Sequence, residues 1–218
     1  VSWLAGRYRL LGIMRVGMVL AVVGLCGASF STSAEMLGLS LCITGVGGAM
    51  LWIPAPVMAA DAIPANKRPL AVGLMGSGIG FGILFVSTVS GRLRDSMGDA
   101  AWAQAYQVQF YIGVAVMVFV LLLVRHQQAK PAGGGGLGGF SALQRMRGWF
   151  PLTLAYGCFG FMYLLFLGFL TTRLEDDSGW TSVDASMAFS IMGVAMIFGG
   201  PLLTTLAQRF GVRFMLSL

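Results

Sequence analysis

The sequence predicts an all-α integral membrane protein, and three observations carry this prediction. Hydrophobic residues fill 57% of the 218 positions, whereas charged residues fill only 10%. The mean hydropathy is +0.82, so a soluble domain of this composition would lack the polar residues to cover its surface. Six apolar runs each reach the roughly 20 residues that a helix needs to cross a hydrocarbon core of about 30 Å.

The six runs predict helices rather than barrel strands, because they are continuously apolar and do not alternate. The second run contains Pro54 and Pro56, which free backbone carbonyls and bend a helix. The third contains Gly78 and Gly82, a small-xxx-small pair that predicts the close approach of another helix. These features fit either tight packing alone or a bendable helix beside a cavity. The runs cover residues 10–29, 36–59, 70–90, 105–124, 149–172 and 186–207.

A basic linker, residues 125–148, divides the runs into a group of four and a group of two. It has six glycines between Gly133 and Gly139 and no acidic residue, a composition typical of a flexible tether. We therefore expect residues 1–124 to be part of an N-terminal helical bundle with four spans. Residues 149–218 are expected to be part of a C-terminal bundle, with two spans and the start of a third.

Both ends of the chain bear on its completeness. The chain begins at Val1 rather than at a methionine, and a new apolar run opens at Phe214, just before the end. These features indicate an internal fragment of a longer membrane protein.

Loop charges predict the orientation, because Lys and Arg near the ends of spans stay in the cytoplasm. Of the 14 basic residues, only Arg92, Arg94 and Arg173 fall on one side of the predicted membrane, together with seven of the eight acidic residues. The remaining basic residues, including those of the linker, share the other side. We therefore expect a multi-pass membrane protein with both ends and the linker in the cytoplasm.

The residue types needed for catalysis or metal binding are scarce. His126 is the only histidine and lies in the linker, while Cys26, Cys42 and Cys158 all lie inside apolar runs. No nucleophile is placed with a base, so we expect neither an enzyme nor a cofactor or metal site. Nucleic acid is not an expected partner, because the basic residues sit in short loops rather than on one helix face.

Two basic loops share one pattern about 200 residues apart, which indicates a duplicated bundle. Residues 4–9 read Leu-Ala-Gly-Arg-Tyr-Arg, and residues 206–213 read Leu-Ala-Gln-Arg-Phe-Gly-Val-Arg. The pattern resembles the loop signature of the major facilitator superfamily, Gly-x-x-x-Asp-Arg-x-Gly-Arg-Arg. Arg209, Gly211 and Arg213 match its later copy.

The earlier copy is matched more loosely by Arg7 and Arg9, and the connection into the third run, with Arg68, also resembles that superfamily. On this alignment the six runs are similar to the third to eighth spans of a twelve-helix, two-bundle fold. Within the superfamily, the chain resembles the bacterial YbfB/YjiJ-like branch, which implies a bacterial inner (plasma) membrane. The signature aspartate is replaced by Gly6 and Gln208, which puts in doubt the charge network that helps to close the cytoplasmic gate in relatives.

The resemblance implies secondary active transport of a small organic solute by alternating access, with a lipid bilayer and the solute as partners. A coupling ion such as H⁺ and a monomeric state are also expected, and the fragment alone is expected to be inactive. The cytoplasmic gate would involve Arg7, Arg9, Arg68, Arg209, Gly211 and Arg213. The implied lining residues are Met50, Trp52, Met75, Ser77, Tyr156, Phe159, Tyr163, Phe189, Ser190 and Met192.

Two alternatives to transport stay open at this stage. A receptor or sensor that does not transport could be built on the same fold, and an intramembrane enzyme is the weaker alternative. Each lining residue, taken singly, also fits a simple contact with lipid or with a neighbouring helix.

Overall fold

The computed structural model describes residues 8–123 and 148–211, and this part of the chain contains helices and no strands. Six spans are long and apolar enough to cross a membrane, which confirms the predicted fold class. The helices are α1 (Leu10–Ser29), α2 (Ala34–Trp52), α3 (Pro54–Asp61), α4 (Arg68–Met97), α5 (Trp102–Leu123), α6 (Trp149–Asp176) and α7 (Ser182–Phe210). Short 3₁₀ turns at Ala65–Lys67 and Gly98–Ala101 precede α4 and α5.

Helices α2 and α3 together form one span, Ala34–Asp61. The helix is interrupted at Ile53 because Pro54 and Pro56 follow, and neither proline can donate a backbone hydrogen bond to the preceding turn. Pro54 is fully buried. The prolines thus interrupt the helix within the second run, while Ile53 keeps helical backbone angles.

Hydroxyl side chains cap two of the spanning helices. The side chain of Ser33 accepts a hydrogen bond of 3.2 Å from the Met36 amide at the start of α2. The hydroxyl of Thr181 accepts a bond from the Asp184 amide and donates one to the Asp184 carboxylate at the start of α7. These bonds satisfy amides that a helix leaves unpaired in its first turn.

Three helices are longer than hydropathy predicts at the ends that bear charges. Helix α4 continues past residue 90 to Met97, so Arg92 and Arg94 lie on its last turns rather than in a loop. Helix α6 likewise continues to Asp176, and α7 begins at Ser182. The apolar pattern stops earlier because charged and polar residues occupy these terminal turns and lower their hydropathy.

The helices pack in two main groups. Helix α1 packs along α2 and also contacts α5, while α4 packs along α7 in the most extensive helix contact of the described chain. Helix α6 packs against α7. The contact between α4 and α7 therefore joins the part of the chain before the linker to the part after it.

Candidate functional site

Glycines bring the backbones of α4 and α7 together. A Cβ atom placed on Gly80 would lie 2.6 Å from the Gly193 carbonyl oxygen, and one placed on Gly73 would lie 2.8 Å from the Gly200 carbonyl oxygen. In residues 8–123 and 148–211, no atom lies within 4 Å of such a Cβ on Gly78 or Gly82. The predicted packing pair was therefore wrong in the described chain, because the opposite face of the same helix makes the close approach.

Hydroxyl groups bridge this contact between helices. The side chains of Ser87 and Ser190 share a hydrogen bond of 3.0 Å, and the Thr88 hydroxyl lies 3.2 Å from the same Ser190 oxygen. Ser190 also donates to the carbonyl of Ser186, one turn earlier in α7. These short side chains can exchange partners between the two helices with small movements.

Ser77 makes the most specific of these bridges, at the proline of α7. Pro201 has no amide hydrogen, so the carbonyl of Ile197, four residues earlier, loses its usual partner within the helix. The Ser77 hydroxyl donates to that carbonyl at 2.6 Å across the contact. A polar group of α4 thus satisfies the backbone defect that the proline creates in α7.

A cavity of about 400 Å³ opens beside this contact, between α4, α6 and α7. Its volume lies in the range of small-molecule sites, about 300–1,000 Å³. Ile83, Val86, Leu167 and Phe189 supply apolar walls. Hydroxyl groups and one cation supply the polar part: Ser87, Ser90, Thr171, Ser186 and Arg94.

Arg94, which lines this cavity, forms an ion pair with Glu175. The two terminal nitrogens of the Arg94 guanidinium, Nη1 and Nη2, donate to the Glu175 carboxylate, at 2.7 and 2.9 Å. The side chains are 35% and 18% exposed, so the pair is partly shielded from water. It ties α4, before the linker, to α6, after it, with the bidentate geometry of the stronger charged hydrogen bonds.

Comparison with known proteins places this architecture in a family. The profile described as Major Facilitator Superfamily matches residues 1–218. The chain belongs to the major facilitator superfamily. Its spans therefore fit part of the twelve-helix fold of that superfamily, and the resemblance stated from the loop motifs is confirmed. The YbfB/YjiJ-like branch is not confirmed.

Curated superfamily relatives match only part of this chain. The MFS-type efflux pump MFS1 of Arthroderma benhamiae and that of Trichophyton rubrum are each 24% identical over 106 residues, which cover 49% of this chain and 19% of the relative. Vacuolar basic amino acid transporter 2 of Saccharomyces cerevisiae is 26% identical over 106 residues, covering 49% of this chain and 22% of the relative. The chain thus aligns with about a fifth of the length of these relatives. No solved structure matches it at a significant level.

The lining residues implied by the superfamily fall into three places. Ser77 and Ser190 each make a hydrogen bond across the contact between α4 and α7, with the Ile197 carbonyl and with Ser87, and Phe189 lines the cavity. Met75 and Met192 are half-buried on the same two helices. Five of the ten residues thus lie on α4 and α7, and their place in transport stays a prediction.

The other five lining residues lie elsewhere. Met50 is buried against Gly17 of α1, and Trp52 is 50% exposed at the end of α2. On α6, Phe159 lies between Tyr156 and Tyr163, with ring centroids 6.4 and 5.9 Å apart. The two tyrosines therefore share one helix face, as their spacing predicts, outside the cavity beside α4.

The gate residues implied by the superfamily mark the ends of helices. Arg9 precedes the first residue of α1, and Arg68 is the first residue of α4. The Arg209 guanidinium lies 5.7 Å from the ring centroid of Phe210, and Gly211 ends α7 with a φ of 89°. Arg7 and Arg213 lie outside the described residues.

The sequence interpretation missed the polar wall of the cavity. Ser87, Thr171 and the pair Arg94–Glu175 were not among the predicted lining residues. Opposite charges at the ends of two predicted spans on the same side of the membrane were the available signal. In residues 8–123 and 148–211, no three His, Cys, Asp or Glu side chains are grouped so that they could hold a metal ion.

Proposed function

We propose that the complete protein moves a small organic solute across the membrane by alternating access. Membership of the superfamily and the transporter names of its relatives support a role in membrane transport in general. The observation that carries the finer proposal is the contact between α4 and α7. Small residues and exchangeable hydroxyl bonds form it, and a cavity of about 400 Å³ lies beside it.

The proposed motion rocks two bundles against each other. In this proposal residues 1–124 belong to one bundle, residues 149–218 to the other, and residues 125–148 connect them. Glycine contacts have no long side chains that must disengage, so α4 and α7 can change their angle at low cost. The cavity, which Phe189 lines and Ser87 and Ser186 border, would then open to either side in turn.

The proposal specifies the solute only as a small organic molecule, and it covers transport in either direction. One relative is named an efflux pump and another a transporter of basic amino acids; both names are compatible with a small organic solute, in either direction. We infer H⁺ as the coupling ion and a monomer as the working unit. Uptake into liposomes that contain the complete protein, driven by an imposed pH gradient, tests both the transport and the coupling.

The expected result is solute movement that a proton ionophore abolishes and that empty liposomes do not show. Solute movement that is insensitive to the ionophore would reject the proposal of H⁺ coupling but not the proposal of transport. Saturable binding without movement under any ion gradient would reject the transport proposal and favour a receptor. Single-molecule counting of subunits in the membrane checks the monomer.

The proposed orientation places both ends of the chain and the linker on the cytoplasmic side of a bacterial plasma membrane. Single cysteines at Gly135, in the linker, and at Ser178, between α6 and α7, test it in intact cells from which the other cysteines have been removed. A maleimide that does not cross membranes is expected to label Ser178→Cys but not Gly135→Cys. The reverse labelling would invert the topology.

A further inference from the structure

Three arginines share the predicted side of the membrane that carries most of the acidic residues, and two of them are paired. Arg94 binds Glu175, and Arg173 binds Asp177 at 2.7 Å. Arg92 makes no ion pair or hydrogen bond with any other residue that the structure describes. Its guanidinium donors are therefore available to a ligand.

Arg92 borders a smaller cavity, of about 240 Å³, between α4 and α7. None of the described residues that line this Arg92 cavity is acidic, so it carries a single positive charge. Its volume lies below the range of drug-sized ligands and suits the polar head of a larger molecule. The lining includes Arg92, the hydroxyl residues Thr88, Ser186 and Ser190, and the apolar Val183 and Met187.

The hydroxyl of Ser186 is a second free donor in the Arg92 cavity. The hydroxyls of Thr88 and Ser190 already donate to carbonyls one turn earlier in their own helices, at 2.7 and 3.1 Å. Within residues 8–123 and 148–211, the Ser186 hydroxyl makes no hydrogen bond. A Cβ atom on Gly91 would lie 2.7 Å from this hydroxyl oxygen, so the glycine leaves room for it against α4. Arg92 of α4 and Ser186 of α7 thus offer donors from two helices to one ligand.

The Arg92 cavity lies at the level where both of its helices leave the hydrocarbon core. The apolar run of α4 ends at residue 90, and that of α7 begins at residue 186. The hydrocarbon core is about 30 Å thick, and the headgroup regions bring a bilayer to about 40–45 Å. Phospholipid phosphates therefore lie at the depth of Arg92. Met187, which is 57% exposed, adds apolar surface beside the cavity.

We propose that the Arg92 cavity binds the phosphodiester group of a phospholipid. The Arg92 guanidinium and the Ser186 hydroxyl donate to its two unesterified oxygens, and the glycerol part lies against Met187. A phosphodiester carries one negative charge, which the single cation of the cavity balances, and planar guanidinium donors suit phosphate oxygens. The bound lipid joins α4 to α7 at one end of their contact, whether or not the protein moves a solute.

Native mass spectrometry of the purified complete protein in detergent tests this site, because it counts bound lipids as the lipid concentration rises. The probes are dioleoylphosphatidylglycerol, dioleoylglycerol, which has the same chains and no phosphate, and glycerophosphoglycerol, which has the same headgroup and no chains. Dioleoylphosphatidylglycerol is expected to bind about tenfold or more tightly than dioleoylglycerol, the effect of one charged hydrogen bond. Glycerophosphoglycerol at an equal concentration is expected to leave the lipid bound.

Variants with equal changes in charge separate this site from a general attraction of lipid to protein charge. Arg92→Gln is expected to weaken the first bound dioleoylphosphatidylglycerol about tenfold, and Ser186→Ala about threefold or more. The matched control, Arg173→Gln, removes one positive charge on the same side from an arginine outside the Arg92 cavity and should change binding less than about twofold. Without added lipid, Arg92→Gln should unfold at the same temperature as the parent, because no described residue bonds to Arg92.

Three results would overturn the lipid site. Equal binding of dioleoylphosphatidylglycerol and dioleoylglycerol would show that the phosphate is not recognised. Equal weakening by Arg92→Gln and Arg173→Gln would show only a general attraction of charges. Displacement by glycerophosphoglycerol at an equal concentration would assign the Arg92 cavity to a soluble phosphate ester instead of a lipid. Each of these results leaves the transport proposal intact, since none of them measures solute movement.

Discussion

The contacts α1–α2 and α4–α7 both rely on glycine, yet their polar groups are used differently. In the first, a Cβ atom on Gly17 or Gly47 would meet the partner helix at 2.9 Å or less. The hydroxyls of Ser29, Ser40 and Thr44 each donate to a carbonyl of their own helix. Each of these hydroxyls therefore bonds within its own helix, and the contact between α1 and α2 is made by packing.

In the contact α4–α7 some hydroxyls also reach across. Ser77 donates to the Ile197 carbonyl, and Ser87 and Ser190 lie 3.0 Å apart while each also donates to a carbonyl of its own helix. An ion pair between Arg94 and Glu175 adds a further tie between the two parts of the chain. Close glycine packing thus serves two purposes here. The contact α1–α2 suits a permanent joint, and the contact α4–α7 suits a joint that can exchange its bonds.

The largest expected effect comes from adding one methyl group to the contact α4–α7. Gly80→Ala places a Cβ atom 2.6 Å from both the Gly193 carbonyl oxygen and the Ile197 amide nitrogen, so the helices must separate. We expect a loss of about 2–3 kcal/mol in the free energy of unfolding, as for an overpacked core. Denaturation of the complete protein in mixed micelles measures it.

Gly78→Ala is the matched control for this prediction. It lies on the same helix, and no atom of the described part of the chain lies within 4 Å of the added atom. Because alanine favours a helix over glycine, this change is expected to be neutral or to stabilise by up to about 1 kcal/mol. If Gly78→Ala destabilises more than Gly80→Ala, the face assigned to the contact α4–α7 is wrong.

The ion pair between α4 and α6 should come next in size. A double-mutant cycle with Arg94→Gln and Glu175→Gln is expected to give a coupling energy of about 1–2 kcal/mol, between exposed and buried pairs. The comparison is the pair Arg173–Asp177, which is 76% and 52% exposed and lies within α6. Its coupling is expected to be about 0.3–0.5 kcal/mol. Equal couplings would show that the bridge between α4 and α6 adds no special stability.

The hydrogen bond from Ser77 to the Ile197 carbonyl is expected to have the smallest effect on stability. Its loss is also expected to depend specifically on Pro201. Ser77→Ala leaves the Ile197 carbonyl without its donor and should cost about 1 kcal/mol. In a Pro201→Ala background the new amide of residue 201 can bond that carbonyl, so the same change should cost much less. Thermal unfolding of the four proteins in the cycle measures the coupling. An equal cost in both backgrounds would contradict the role given to Ser77.

Hydropathy predicts the spans well because lipid imposes the same requirement along a whole helix. The first run, residues 10–29, coincides with α1. Helix ends were less predictable, since the last turns of α4 carry Arg92 and Arg94 and yet remain helical. Charges lower the hydropathy there without breaking the backbone hydrogen bonds.

The face of α4 that makes the contact could not be read from that helix alone. Gly78 and Gly82 have the familiar spacing, but the choice of face depends on the partner. Gly73 and Gly80 are seven residues apart, as are Gly193 and Gly200, and this matched spacing aligns the two helices in opposite directions. Only a comparison between the third and sixth runs would have revealed it.

The residues of the candidate site were partly predictable for the same reason. Ser77, Ser190 and Phe189 follow from the resemblance to the superfamily, because it names the spans that line a site. Arg94 and Glu175 could not follow from it, since their contact depends on where two helices end and on how closely they approach. The charged end of the cavity therefore could not be predicted from the sequence of any single span.

Reversible cross-linking of the two glycine contacts tests most directly the claim that α4–α7 moves and α1–α2 does not. The side-chain oxygens of Ser87 and Ser190 are 3.0 Å apart, so cysteines at these positions can form a disulfide. The control pair is Gly27→Cys with Ser40→Cys, where the Cβ atoms would be 3.3 Å apart. Both pairs are placed in the complete protein after its other cysteines have been removed.

Oxidation of the pair between α4 and α7 is expected to stop solute transport in liposomes, and a reductant is expected to restore it. Oxidation of the pair between α1 and α2 should leave transport within about a factor of two of the reduced protein, because a joint that keeps its geometry loses nothing when locked. Unchanged transport with α4 and α7 covalently joined would show that the contact α4–α7 does not move during transport.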